Sequence, residues 1–362
     1  MRAEAGPRGM AADAANHASD LETDLASDQA ACRRLMRSGS KSFFAASLLL
    51  PARVRYPARA LYAFCRVADD EVDLGADPLA AADALRRRLD AVYAGQPADI
   101  VCDRALASVV QAHAIPRALL DALIEGFVWD AQGRRYETLA EVEDYAARVA
   151  GSVGAMMALI MGVRARQVLA RACELGVAMQ LTNIARDIGE DARNGRLYMP
   201  RRWLAGAGID ADAWLAAPHF DARIGALTAR LLAAADRLYE RAEHGIAALP
   251  RDCRPAIRAA RLVYAEIGVQ LRRSGLDAVS QRSVVPTGRK LALMARAGTA
   301  ALRAPGDRQT LLEALPAIGY LVDAAMADAP PASYQPPPRS LDDRVGWVIE
   351  LCERQAASRA LR

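Results

Sequence analysis

Lysine is almost missing from this chain: of 47 basic residues, only Lys41 and Lys290 are not arginine. The arginines are interspersed with 43 acidic residues to a net charge of +4, with no basic block to grip a polyanion, so no nucleic-acid partner is expected. Paired cysteines are missing too. Cys32, Cys65, Cys102, Cys173, Cys253 and Cys352 lie far apart without a CxxC, and the four histidines are equally scattered, which argues against a zinc site and for a reducing, cytoplasmic setting. Aromatics reach only 5% and β-branched runs are scarce, which argues against a sheet. The longest uncharged run, "VAGSVGAMMALIMGV" from Val149 to Val163, falls short of the roughly 20 apolar residues that cross a bilayer. Nor is there an apolar core in the first twenty residues to make a signal peptide. Ser152 sits in no GxSxG elbow, and no GxGxxG nucleotide loop occurs.

What is present is apolar and helix-forming. Hydrophobic residues make up 53% of 362, enough for a large core, and Ala, Leu and Arg dominate long windows, so the fold class is all-α. Residues 1–23 read as a flexible leader, 24–303 as the main domain and 304–362 as an extension. Within the domain, helices are expected over Asp24–Ser38, from Pro57 through the first acidic cluster, and over Leu79–Ala94, Asp103–His113, Arg117–Trp129, Leu139–Ala150, Gly151–Val163, Arg166–Ile188, Arg223–Ala248, Arg254–Arg273 and Gly288–Arg303. A loop is expected at "GSKSF", and Gly151 and Gly154 would admit a close backbone approach. The extension holds a Pro-rich connector, "ADAPPASYQPPPRS", and an amphipathic piece at Leu341–Ala357.

Two acidic clusters interrupt the apolar pattern. In "LYAFCRVADDEVD", Asp69 and Asp73 stand four residues apart and share a helix face, with Asp70 and Glu71 turned aside. In "QLTNIARDIGED", Asn183, Asp187 and Asp191 form one stripe, with Gln180 a turn earlier. Like charges at that spacing repel, and a single such pair reads as a solvated face with arginines nearby, here Arg66 and Arg186. Two ladders set among apolar residues instead suit hard cations, because Mg²⁺ takes one or two carboxylates together with substrate phosphates.

The segments "SKSFFAASLLLP", "ALYAFCRVADDEVD", "YAARVAGSVGAMM", "QLTNIARDIGEDARNGRLYMP" and "VVPTGRKL" together resemble the phytoene and squalene synthase family, most closely its bacterial phytoene synthases. The likeness runs in order from about Ser27 to Arg303. It implies the isoprenoid synthase (class I terpenoid synthase) fold, a helical bundle around a central cavity. On the matching positions it makes Asp69, Asp73, Asn183, Asp187 and Asp191 the metal set, with Mg²⁺ expected and Mn²⁺ as a substitute. Tyr62, Arg66, Gln180 and Arg186 would contact or orient diphosphates. Ser40, Lys41 and Ser42 resemble diphosphate contacts before the first acidic helix, and Phe43 a cavity wall. Tyr264 and Arg282 resemble a late pair that closes over a diphosphate. Ordinary alternatives stand beside these: Tyr62 and Tyr264 as half-buried core residues, Arg282 as a surface charge.

The same resemblance implies a prenyltransferase of carotenoid biosynthesis. Two geranylgeranyl diphosphates would condense head to head through a cyclopropylcarbinyl (prephytoene) diphosphate to phytoene and diphosphate, without NADPH. Leu61, Phe64, Phe43, Val153, Met156, Met157, Leu159 and Ile160 are candidates for the apolar cavity such a cation needs, although Met at helical spacing also suits ordinary core. Squalene or dehydrosqualene synthesis from farnesyl diphosphate, another class I terpenoid enzyme, and a non-catalytic scaffold on the same fold are the alternatives. The stretch "RSVVPTGRKLALMARAGTAALR", with Arg289, Lys290, Arg296 and Arg303, suits peripheral contact with an anionic membrane, at the inner face, or equally a helix packed on the core. A downstream carotenoid desaturase is the expected partner.

Overall fold

Caps and prolines set where the helices begin. The computed structural model describes residues 26–75, 77–300 and 313–327, and among them there is no β-strand. Helix α1 spans residues 26–39. Ser40 follows it and caps α2 (Lys41–Ser47), its Oγ accepting the Phe43 N–H at 3.2 Å. The loop expected at "GSKSF" is therefore a capped helical turn. Pro51 precedes α3 (Ala52–Leu74), which begins at Ala52 and carries Pro57 in its interior rather than in its first turn. Asp77 caps α4 (Pro78–Tyr93) by accepting the Ala80 N–H at 3.0 Å. Next come α5 (Val101–His113), α6 (Arg117–Ala131) and α7 (Leu139–Ala146). A π-helical turn, Ala147–Gly151, joins α7 directly to α8 (Ser152–Ile160), where the sequence suggests a break between two helices.

The second acidic cluster lies on α9 (Arg166–Arg193), which runs past the expected end at Ile188 and keeps Asp191 helical. Gly195, with φ of 75°, makes the turn after it. Two short helices not foreseen from the sequence follow, α10 (Arg201–Gly206) and α11 (Ala211–Ala216). Then come α12 (Ala222–Ala248), α13 (Arg254–Arg273), α14 (Thr287–Ala300), the 3₁₀ turn Pro316–Ile318 and α15 (Gly319–Ala327).

Helix α9 is the axis of the packing. It lies against α12 along most of its length, and α8, α13, the π-turn and α15 also pack on it. Two glycines allow this closeness. A Cβ on Gly154 of α8 would strike the Ala172 carbonyl oxygen, and one on Gly176 of α9 would strike that of Ala150. Gly151 has more room, its nearest neighbour being Leu321 at 3.3 Å from such a Cβ. The other acidic helix, α3, packs on α4, α5 and α6. The two acidic helices make no extensive contact with each other, and α8 packs against both.

Five cysteines, Cys32, Cys65, Cys102, Cys173 and Cys253, are free thiols. The leader, Arg303, the Pro-rich connector, the Leu341–Ala357 piece and Cys352 lie outside the described residues.

Candidate active site

The acids singled out on α3 and α9 are paired with arginines. On α3, Arg66 reaches Asp70 at 2.7 Å and Asp69 at 3.5 Å, while Glu71 turns away to Arg88. Asp73 is held by a distant segment: Arg196, just after α9, grips it with Nη2 to Oδ1 at 2.7 Å and Nη1 to Oδ2 at 3.2 Å. On α9, Asp187 takes two guanidinium partners, Arg186 Nε at 2.8 Å and Arg282 Nε at 2.9 Å. Arg282 also approaches Glu190 at 3.5 Å. Arg282 is thus joined to the acidic ladder, although its side chain stays 53% exposed.

Burial and like charge outweigh the nearby guanidiniums at two of the acids. Burial and then Asp73 push Asp69 up to about 6. Burial and then Asp187 push Asp191 up to about 7. Asp130, on α6, adds to the negative field at both. Asn183 presents Oδ1 as a buried acceptor without a hydrogen-bond donor, while its amide nitrogen donates to Gln180 Oε1 at 3.4 Å. An orphaned acceptor in line with two carboxylates is a donor set that suits a hard divalent cation. Among the described residues no three His, Cys, Asp or Glu side chains already converge on one point, so ligands from a substrate diphosphate would be needed to complete a coordination shell.

The aromatic candidates also come together. Phe43 lies 5.0 Å from the Tyr264 ring and 6.3 Å from the Tyr62 ring, joining α2, α13 and α3. Burial raises the pKa of both tyrosines, which keeps them neutral. Ser40 is engaged as a helix cap, Ser42 is half-buried, and Lys41 is exposed at the first turn of α2. Of the cavity candidates, Leu61, Phe64, Met156, Leu159 and Ile160 are buried core, whereas Phe43, Val153 and Met157 pack at its edge.

Four residues near the acids escaped the sequence reading as site residues. Arg196 and Tyr198 sit inside the quoted "NGRLYMP", where they pass for loop residues. Asp130 and Tyr145 are ordinary polar residues of amphipathic helices, with no spacing that marks them out. Tyr198 lines a small pocket with Asp191, Arg196 and Ile188, and its hydroxyl donates to Asp130. Only the fold brings these four together.

Comparison with known proteins identifies the family. The squalene/phytoene synthase profile matches residues 36–290. A phytoene synthase of Rhodobacter capsulatus is 52% identical over 82% of this chain and 90% of its own length. One from Cereibacter sphaeroides is 51% identical over 84% and 89%. Among solved structures, a dehydrosqualene synthase superposes with a TM-score of 0.70 at 31% identity, covering 77% of this chain and 98% of its own. A squalene synthase from Alicyclobacillus acidocaldarius gives 0.64 at 27% identity, with 70% and 96% covered. By these matches, and with an acidic helix at each of the two motifs, the chain belongs to the squalene/phytoene synthase family.

Proposed function

We propose that this chain makes phytoene, joining two geranylgeranyl diphosphates head to head through a cyclopropylcarbinyl diphosphate, and acts in carotenoid biosynthesis. The observation that carries the reading is the identity of about half, over nearly the whole length, to phytoene synthases. The two acidic ladders support it chemically.

Asp69 and Asp73 from α3, and Asn183, Asp187 and Asp191 from α9, would hold Mg²⁺, with Mn²⁺ as a substitute. Bound there, the metal supplies positive charge to the departing diphosphate. The protein's own cations would share that task. Arg66, Arg186 and Arg282 already lie against the acids, and Lys41 is exposed near the same aromatic group. The guanidiniums pair with carboxylates here; with substrate they would turn to phosphate oxygens, which they fit bidentately. Ser40, Ser42 and Gln180 would add neutral hydrogen bonds. Phe43, Tyr62 and Tyr264 keep water from the carbon left electron-deficient and present ring faces to it. No nicotinamide enters this scheme, so added NADPH should leave the product unchanged.

Peripheral membrane contact fits the lipid substrate and product. Helix α14 buries Leu293 and Ala297 but exposes Leu291 (62%), and Val284 just before it is 69% exposed. Arg289 is tied to Glu266 at 2.9 Å, and Lys290 and Arg296 add positive charge on the same helix, which would favour an anionic cytoplasmic surface. No described helix is long and apolar enough to cross a membrane. Hydrocarbon released there would pass to a desaturase. Co-sedimentation with anionic but not neutral vesicles is expected, and equal pelleting with both would remove the electrostatic part of this reading.

The test of the function is a time course with geranylgeranyl diphosphate and Mg²⁺. Two diphosphates should appear for each hydrocarbon formed, and chelation with EDTA should stop both. Diphosphate release with monomeric alcohols as the only products would instead indicate simple hydrolysis.

A further inference from the structure

Acidic and basic residues are mixed along most of this chain, but not over its first helices. Between Asp28 and Asp69 there is no acidic residue, and every charged side chain is Arg or Lys. Two of these cations find carboxylates, Arg53 on Asp252 and Arg66 on Asp69 and Asp70. Of the others outside the candidate site, Arg33, Arg34, Arg37, Arg55 and Arg59 pair with no carboxylate among the described residues.

Three of these arginines lie within reach of one another's charge. Arg55 clamps the turn between α2 and α3, its Nη2 donating to the Leu50 carbonyl at 2.7 Å and to that of Leu48 at 3.1 Å. Arg59, one helical turn on, lies over the Phe44 ring at 5.7 Å, and its Nη2 approaches Ser47 Oγ at 3.5 Å. Its Nε is buried without an acceptor. Burial, and then Arg33 of α1 and Arg55, lower the pKa of Arg59, as expected of cations gathered without a counter-ion. Guanidiniums so placed suit an oxyanion, above all a phosphate. The same turn exposes Leu48 (48%) and Leu49 (37%), the one pair of chain neighbours among the exposed large apolar side chains of the described residues. A soluble phosphate gains nothing from two leucines. A phospholipid surface offers phosphates to arginines and acyl chains to leucines together.

We propose that the α2–α3 turn is a docking site for an anionic phospholipid surface, with lipid phosphates on Arg33 and Arg59 and with Leu48 and Leu49 among the acyl chains. The inference rests on the reading of a lipid substrate above and adds a second contact to that of α14. Helix α2 has seven residues, a length of about 10 Å. A bilayer at its C-terminal end would therefore lie one short helix from Phe43 and the two tyrosines it touches. A prenyl chain would pass between acyl layer and site with little exposure to water.

The test is co-sedimentation with vesicles of phosphatidylcholine alone and of phosphatidylcholine mixed with phosphatidylglycerol. Wild type is compared with R33Q/R59Q, L48S/L49S and, on α14, L291S, each with its melting temperature and its turnover of geranylgeranyl diphosphate in detergent. On the mixed vesicles R33Q/R59Q should bind about 30-fold more weakly, which is about fivefold for each cation. L48S/L49S should bind about tenfold more weakly and keep wild-type turnover in detergent. Both leucines are exposed, so this variant keeps the claim testable if R33Q/R59Q fails to fold. Wild-type binding by both double variants, with loss only in L291S, would overturn the inference and leave the contact to α14. A rise in melting temperature with inorganic phosphate alone, present in wild type and absent in R33Q/R59Q, together with normal vesicle binding by L48S/L49S, would assign the arginines to a soluble anion and also overturn it. Wild type that binds neither vesicle would remove the docking site, while hydrocarbon formed in detergent would leave the condensation reading standing, so the two fail separately.

Discussion

Asp187 shows how single residues carry the chemistry here. Its carboxylate is shared by Arg186 and Arg282, so D187N would remove a metal donor and release two guanidiniums at once. Turnover should fall about 100-fold or more, the scale for losing one electrostatic group at the transition state, with little change in melting temperature; near-normal Mg²⁺-dependent turnover would remove Asp187 from the metal set. R282A should weaken diphosphate binding about tenfold, as for loss of one charge-assisted pair, read as a rise in KM. A residue outside the acidic ladders contributes to the pH dependence of stability. Burial pushes Glu143 of α7 up to about 7 from an ordinary 4.5, so folding favours its neutral form. Stability is therefore lost as pH rises from the unfolded value through about 7, and stays lost above. E143Q should raise the melting temperature at pH 8 and leave it unchanged at pH 4. The acids themselves were legible in the sequence because charge inside an apolar helix stands out. Arg196 and Asp130 were not, because their meaning arises from partners on other segments: Arg196 from Asp73, 123 positions away, and Asp130 from Tyr145 and Tyr198.

At the level of elements, long amphipathic helices could be read directly. The reading of Arg254–Arg273 coincides with α13, and that of α12 differs by one residue at its start. Short or irregular pieces could not. The turn of α2 depends on one serine cap, α10 and α11 are too short to show a period, and five residues of π-helix leave no mark on a 3.6-residue pattern. Pro57 misled because it sits inside α3, after a start set by Pro51. The glycine prediction was half complete: Gly154 was flagged, but its counterpart Gly176 lies on the facing helix and only packing reveals it. G176A would force α9 off the Ala150 carbonyl, and a loss of about 1–3 kcal/mol is expected from such overpacking. Thermal unfolding checks this, and an unchanged melting temperature would mean that the helices separate freely.

For the whole molecule, the fold is closed by a segment that the sequence pattern did not mark. Glu174, fully buried on α9, accepts from the Leu315 N–H at 3.0 Å and pairs with Arg171 and Arg241. That anchor brings α15 onto α9, α8 and α6, with Leu321 buried beside Gly151. L321A should cost about 2–5 kcal/mol, and melting within error of wild type would show that α15 contributes little. Since the π-turn that α15 covers leads from Tyr145 toward α8, this closure supports the back of the proposed site. The decisive measurement supplies purified protein with geranylgeranyl and farnesyl diphosphates in equal amounts, with Mg²⁺, and identifies the extracted hydrocarbon by mass. A C40 hydrocarbon with the phytoene mass is the expected result. A C30 product, or none from folded protein, would contradict phytoene synthesis by this chain.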